Sequence, residues 1–153
     1  MRAVLQRVAS ARVEAEGVCL GEIGRGLVAL VAVEKGDTAA EADWTAGKIA
    51  ELRAFPDEND RMNLSVRQTG CAVLMIPQFT LAADLTKGRR PDFTNAAAPE
   101  DAVPLLERVR RGIEATGVRV EEGRFGARMS VWLVNDGPVT FILERRPDGS
   151  RGR

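Results

Sequence analysis

GLVALVAV, residues 26–33, is the longest unbroken apolar run in the chain. Opened by Gly26, with Gly24 before it and Gly36 after it, it has the length of a strand and not of a membrane span. An apolar run without alternation marks a strand covered on both faces. Such a strand requires packed layers above and below it, and the flanking segments supply them. RAVLQRV (2–8) and ARVEAE (11–16) alternate polar with apolar residues, as two half-buried strands do. Downstream, Thr38 and Glu41 form a Thr-x-x-Glu capping box for a helix running to about Phe55. Ala42, Ala46, Ile49 and Leu52 give that helix an apolar stripe.

Pro56 ends the helix, and PDENDRMN follows as a polar loop. CAVLMI (71–76) is a second apolar strand running into PQFTLAAD, and LTKGRRPDFTNAAAP (85–99) has no periodicity. A second helix carries Leu105, Leu106, Val109 and Ile113 on one side, with Pro104 leaving its first residue open. GVRVEEG and ARMSVWLVN are further strands. The turn Asn135-Asp136-Gly137-Pro138 then leads to a closing strand, VTFILE. The expectation is one α/β domain over residues 1–144, with a mixed, largely antiparallel sheet and two main helices. Residues 145–153, RRPDGSRGR, are expected to form a flexible tail.

Composition narrows the chemistry. The 153 residues are 44% hydrophobic and 29% charged, with a formal net charge of zero. These are the proportions of an ordinary soluble domain. The neutral balance argues against a protein that holds nucleic acid through a long phosphate-neutralising face. Basic clusters occur at Lys87, Arg89 and Arg90, at Arg108, Arg110 and Arg111, and in the tail. Each is read first as a solvated face, with transient contact to an RNA end as the alternative. With no secretory signal, no membrane segment and only Cys19 and Cys71 as cysteines, the expected location is cytoplasmic.

The chain has no histidine, so it can build no Ser-His, Cys-His or His-metal site. Neither a GxGxxG nor a Walker-type loop follows a strand. Catalysis would have to use carboxylates, hydroxyls, backbone groups or the substrate itself. Thr80 is a hydroxyl at a strand end with nothing to activate it as a nucleophile. Gln78 could hold a carbonyl or a ribose hydroxyl, or face water. Asp84 and Asp136 could move protons, cap or solvate, and Cys71 suits a buried, inert thiol. Phe125 and Met129 suit a pocket wall or a core equally.

Taken in order, PQFTLAADLTKGRRPDF, GRFGARMSV and NDGPVT resemble the successive motifs of the D-aminoacyl-tRNA deacylases, also called D-tyrosyl-tRNA deacylases. The opening MRAVLQRVASARV is similar to that family's start, and the likeness ends near Glu144. The resemblance implies a homodimer that hydrolyses D-aminoacyl esters, and glycine misattached to tRNA, without metal or cofactor. It implies a cis bond between Gly137 and Pro138, carried into the partner's active site, where backbone carbonyls hold the substrate ammonium and exclude an L side chain. It places the developing oxyanion at the amides of Phe79 and Thr80, with the terminal ribose 2′-hydroxyl assisting water. Gln78 and Thr80 shape that pocket, Phe125 and Met129 wall it, and Ala102 is a further contact.

Two positions depart from the pattern. Pro77 stands where the family usually has serine, removing a hydroxyl and an N–H, and Pro104 alters helix geometry. A branch that edits L-alanyl-tRNA carries proline at the first of these positions but changes the phenylalanine and the Gly-Pro surroundings, both kept here. The alternatives are therefore relaxed-chirality editing and a non-catalytic module that binds tRNA ends or a small ligand.

Overall fold

The computed structural model describes residues 1–86 and 88–147. Strands β1 (Arg2–Ala15), β2 (Val18–Ile23) and β3 (Gly26–Ala32) lead into helix α1 (Ala39–Glu51). A small ribbon, β4 (Phe55–Pro56) and β5 (Met62–Leu64), is followed by the short helix α2 (Val66–Thr69) and strand β6 (Ala72–Pro77). A 3-10 turn (Phe79–Ala82), helix α3 (Pro99–Glu114) and strands β7 (Val120–Glu122) and β8 (Met129–Glu144) complete the order.

β1 organises the sheet. It pairs antiparallel with β8 along its length, and with β3 and then β2 in succession. β3 pairs parallel with β6, and β6 with β7. The sheet curls until its ends meet: a Cβ on Gly21 of β2 would lie 3.0 Å from the Cβ of Glu121 on β7. The mixed sheet is thus antiparallel around β1 and parallel beyond β3. β3 is covered on both faces, as its continuous apolar run requires. Leu27, Ala29 and Val31 pack with α1 and α3, while Val28 joins Val8, Val13, Ile23, Leu74 and Ile76 inside the curl.

The capping box forms: Thr38 N–H donates to Glu41 Oε2 at 2.9 Å, and Thr38 Oγ1 accepts from Ala40 N–H. α1 ends at Glu51 rather than near Phe55, because Leu52 turns extended. Phe55 instead becomes a fully buried strand residue of β4, so the polar loop after Pro56 is the turn of a hairpin whose returning strand begins at Met62. α3 starts on Pro99 and runs through Pro104, which faces solvent. Only one ladder donor is lost there.

Two strand expectations require correction. Residues 2–8 and 11–16 form one strand, whose inward phase changes near Ala9 and Ser10. Ala3 and Leu5 face the helices, whereas Val8, Ala11 and Val13 face the inner core. ARMSVWLVN and VTFILE likewise form one strand, β8, and the segment between them is no hairpin corner. From Gln6↔Thr140 to Val8↔Asn135, β1 advances two residues (6 to 8) and β8 five (135 to 140). The surplus is extruded as a wide bulge, and the strand resumes in the same direction.

The expected tail begins at Arg145, whose N–H donates to Met1 O at 3.0 Å; residues 148–153 lie outside the described residues.

α1 and α3 approach closely at one point. A Cβ on Gly112 would sit 2.7 Å from the Cβ of Ala46, with no flexible side chain to yield. Gly112→Ala is therefore expected to destabilise the fold by about 1–3 kcal/mol through overpacking. Alanine's advantage of about 1 kcal/mol in a helix interior opposes this only partly. Thermal melting should register the loss, and Ala46→Gly in the same chain should recover most of it. A Gly112→Ala protein that melts above the parent would show that the helices part at no cost.

Candidate active site

β6 ends on Pro77, and Gln78 N–H donates to Val31 O at 2.8 Å, prolonging the register of the parallel pair. The chain then tightens into the 3-10 turn. Leu81 and Ala83 N–H close it on the carbonyls of Gln78 and Thr80. The amides of Phe79 and Thr80 open the turn and lie outside its ladder, as the first donors of any helical turn do.

Beside this turn lies a cavity of about 450 Å³. One wall is the end of β6 with Gln78 and Phe79. A second is Ala96, Ala97 and Pro99, and a third is Phe125, Gly126 and Ala127 with Met129 and Val131. Five expected site residues, Pro77, Gln78, Phe79, Phe125 and Met129, are thus brought together. Thr80 stands next to them and accepts from Gln78 Nε2 at 2.6 Å, which fixes the direction of the Gln78 amide. Ala102 is placed elsewhere, buried on α3 in the core between helices and sheet. Gly137 and Pro138 do not line this cavity either.

Among the described residues no ionisable side chain lines the cavity, whose polar groups are the Gln78 amide and the backbone. Among the described residues no cluster of histidine, cysteine or carboxylates could hold a metal ion. The neighbouring loop, aperiodic in sequence, is pinned. Asp84 and Asp92 exchange backbone hydrogen bonds of 3.1 and 2.7 Å, and Ala97 N–H donates to Val33 O. Thr86 and Thr94 donate to the two carboxylates through hydroxyl and amide. Those bonds hold both carboxyls below the usual aspartate value, the hydroxyl contributing most. Phe93 from this loop meets Phe79 edge to face at 5.3 Å.

The bulge of β8 forms a separate feature. Its Gly137–Pro138 peptide bond is cis, and both residues are exposed. Two β1 side chains hold it. Gln6 Nε2 donates to Asn135 Oδ1 at 3.2 Å, and Arg7 Nε lies 2.8 Å from Asp136 Oδ2. The Nε–H is misaligned for a directed bond, so that contact is an ion pair. Arg7 is only 8% exposed and also donates from Nη1 to Ala54 O at 2.7 Å. Sequence reading missed Arg7, although a signal existed: a charged residue stands in phase with the inward Ala3 and Leu5. Ala96 and Ala97 carried no signal, since small residues in loops have no periodicity, and Gly126 and Ala127 were marked only as part of the GRFGARMSV motif.

The basic cluster on α3 is neutralised. Arg108 forks onto Asp43 at 2.7 and 2.8 Å, Arg110 reaches Glu114, and Arg111 pairs with Glu107.

Several known proteins are similar to this chain along nearly its whole length. A D-aminoacyl-tRNA deacylase of Pelobacter propionicus is 53% identical over 145 residues, covering 95% of this chain and all of the relative. One from Geobacter sulfurreducens is 50% identical over 150 residues, covering 98% and 99%. The solved c-Myc DNA Unwinding Element Binding Protein superposes with a TM-score of 0.89 at 37% identity, covering 95% of this chain and 99% of that one. A probable eukaryotic D-amino acid tRNA deacylase shares the fold, with a TM-score of 0.80 at 18% identity. The sequence profile of the D-Tyr-tRNA(Tyr) deacylases matches residues 4–144, and the chain belongs to that family.

Proposed function

We propose that the protein hydrolyses the ester joining a D-amino acid, or misattached glycine, to the 3′ end of tRNA, releasing free amino acid and tRNA. The observation that carries this reading is the convergence of Pro77, Gln78, Phe79, Phe125 and Met129, from distant motifs, on one cavity that no ionisable side chain lines among the described residues. A site of this composition suits ester hydrolysis by positioning and oxyanion binding, not by a side-chain nucleophile. The Phe79 and Thr80 amides receive the developing charge, Gln78 orients the substrate, and the substrate's ribose 2′-hydroxyl helps place water. Thr80, engaged by Gln78 Nε2, supports the Gln78 amide.

Chirality is read in this proposal by Gly137 and Pro138 of a second copy. Two features support it: the bulge is exposed and stands away from its own chain's cavity. Moreover β8 carries exposed Val131, Trp132, Val134 and Ile142, more apolar surface than one strand ordinarily shows to water. Because the carbonyls would read only the ammonium and the α-carbon, broad amino acid range follows. Pro77 at the cavity wall favours one second reading, relaxed chirality toward L-alanyl esters.

Purified protein treated with chelator should be given D-aminoacyl-, L-aminoacyl- and glycyl-tRNA. Loss of the D and glycyl esters with the L esters spared is the expected result. Cleavage of L-alanyl-tRNA would establish the relaxed reading, and tRNA binding without turnover would leave a binding module.

A further inference from the structure

The segment from Gly123 to Met129 leaves β7, supplies Phe125, Gly126 and Ala127 to the cavity, and returns into β8. Its two ends meet through a sulfur atom. Arg124 N–H donates to Met129 Sδ at 3.3 Å. The same sulfur occupies the space that a side chain at position 123 would need: a Cβ there would lie 2.8 Å from Met129 Sδ and 3.6 Å from its Cε. Gly123 is itself fixed, donating its N–H to Met75 O on β6 at 2.9 Å. Its φ is not in the left-handed region. Backbone freedom is therefore not what glycine supplies here; room is.

We propose that Gly123 is a positioning residue for the cavity: its missing side chain lets the Met129 thioether lie back against the loop, and this sets the depth of the cavity wall. An unbranched thioether has three rotatable bonds and swings readily when its seat is lost. The one weak N–H···S bond would not hold it against a methyl group at 2.8 Å. The nearest aliphatic neighbour, Ile76 Cγ2, lies 3.7 Å from that methyl and tolerates it. Displacement of Met129 toward the open cavity is the path of least resistance, and the fold is not otherwise disturbed.

The kinetic arm of the test rests on the deacylase reading; the spectroscopic arm does not. With methionine methyl groups labelled with carbon-13, the four methionines give separable signals. Gly123→Ala is expected to move the Met129 methyl resonance and leave those of Met1, Met62 and Met75 in place. With D-aminoacyl-tRNA, KM should rise about tenfold with kcat within about threefold, the pattern of an obstructed cavity and not of impaired chemistry. Gly123→Ala combined with Met129→Ala should return KM to the value of Met129→Ala alone, because the displaced sulfur is gone. An unmoved Met129 signal, or a double variant as impaired as Gly123→Ala, would overturn the proposal. A parent protein with no hydrolysis would instead defeat the deacylase reading, and the methyl signal would still decide whether Gly123 seats the Met129 thioether.

Discussion

Gly137→Ala is expected to fold and melt like the parent while losing about a hundredfold in D-ester hydrolysis, the scale at which a misplacement of about 1 Å acts. Among the described residues of its own chain the new methyl would meet only Asn135 Nδ2, at 3.7 Å, an ordinary contact. The residue is exposed on a bulge, so the methyl points away from any core. The cost falls on whatever the bulge touches. In the proposed dimer, that is the space around the substrate's ammonium and α-carbon, where one extra carbon displaces the reacting ester. The measurement is kcat/KM on D-aminoacyl-tRNA alongside sedimentation and a melting curve. Parental activity in a folded Gly137→Ala dimer would remove the bulge from the filter. A monomeric parent with full activity would remove the second copy from the site altogether.

The architecture was legible where a single physical rule governed a segment. The apolar run 26–33 predicted a strand covered on both faces, and β3 is one. The Thr38–Glu41 box predicted a helix start, and it forms. Rules failed where long-range pairing overrode local signals. Asn135-Asp136-Gly137 has the composition of a hairpin corner. Yet β1 offers a pairing partner on either side of it, and one continuous antiparallel strand buries more backbone than a reversal would. Residues near Ala9 break the alternation for a related reason, since β1 must serve first the helical core and then the interior of the curl.

At the site, legibility depended on resemblance rather than periodicity. Phe125 and Met129 suited a core as well as a cavity from sequence alone, and only the fold puts them opposite Pro77 and Phe79. The cis state of the Gly137–Pro138 bond came from the resemblance too, because only about 5% of X–Pro bonds are cis. Ala102 shows the opposite case: named as a contact through resemblance, it packs in the helix–sheet core of this chain. Gly123 opens the GRFGARMSV motif, yet no role for it could be read there, because its importance lies in a side chain that it lacks.

Arg7→Ala should destabilise the fold by about 2–4 kcal/mol. Removing one partner of a well-buried ion pair costs about 3–5 kcal/mol. The lower figure applies because the Asp136 side chain is 37% exposed and water can recover part of its solvation. Ala54 O would also lose its 2.7 Å donor from Arg7 Nη1, adding the cost of an unsatisfied acceptor. For a chain of this length the sum corresponds to a fall in Tm of roughly 5–15 °C. Activity should fall further than stability explains, since Arg7 ties the bulge at Asp136 to the body of the fold. Arg7→Lys separates the two effects. It keeps a positive charge for Asp136 but lacks the planar fork that reaches Asp136 and Ala54 O together. It should therefore recover part of the melting temperature and little of the rate. Urea unfolding of Arg7→Ala, Asp136→Ala and the double variant would measure the coupling, expected at about 1–2 kcal/mol. A coupling near zero would mean that the ion pair does not anchor the bulge. Stability would then be carried by the Ala54 bond alone, and the activity of Arg7→Ala should track its folded fraction.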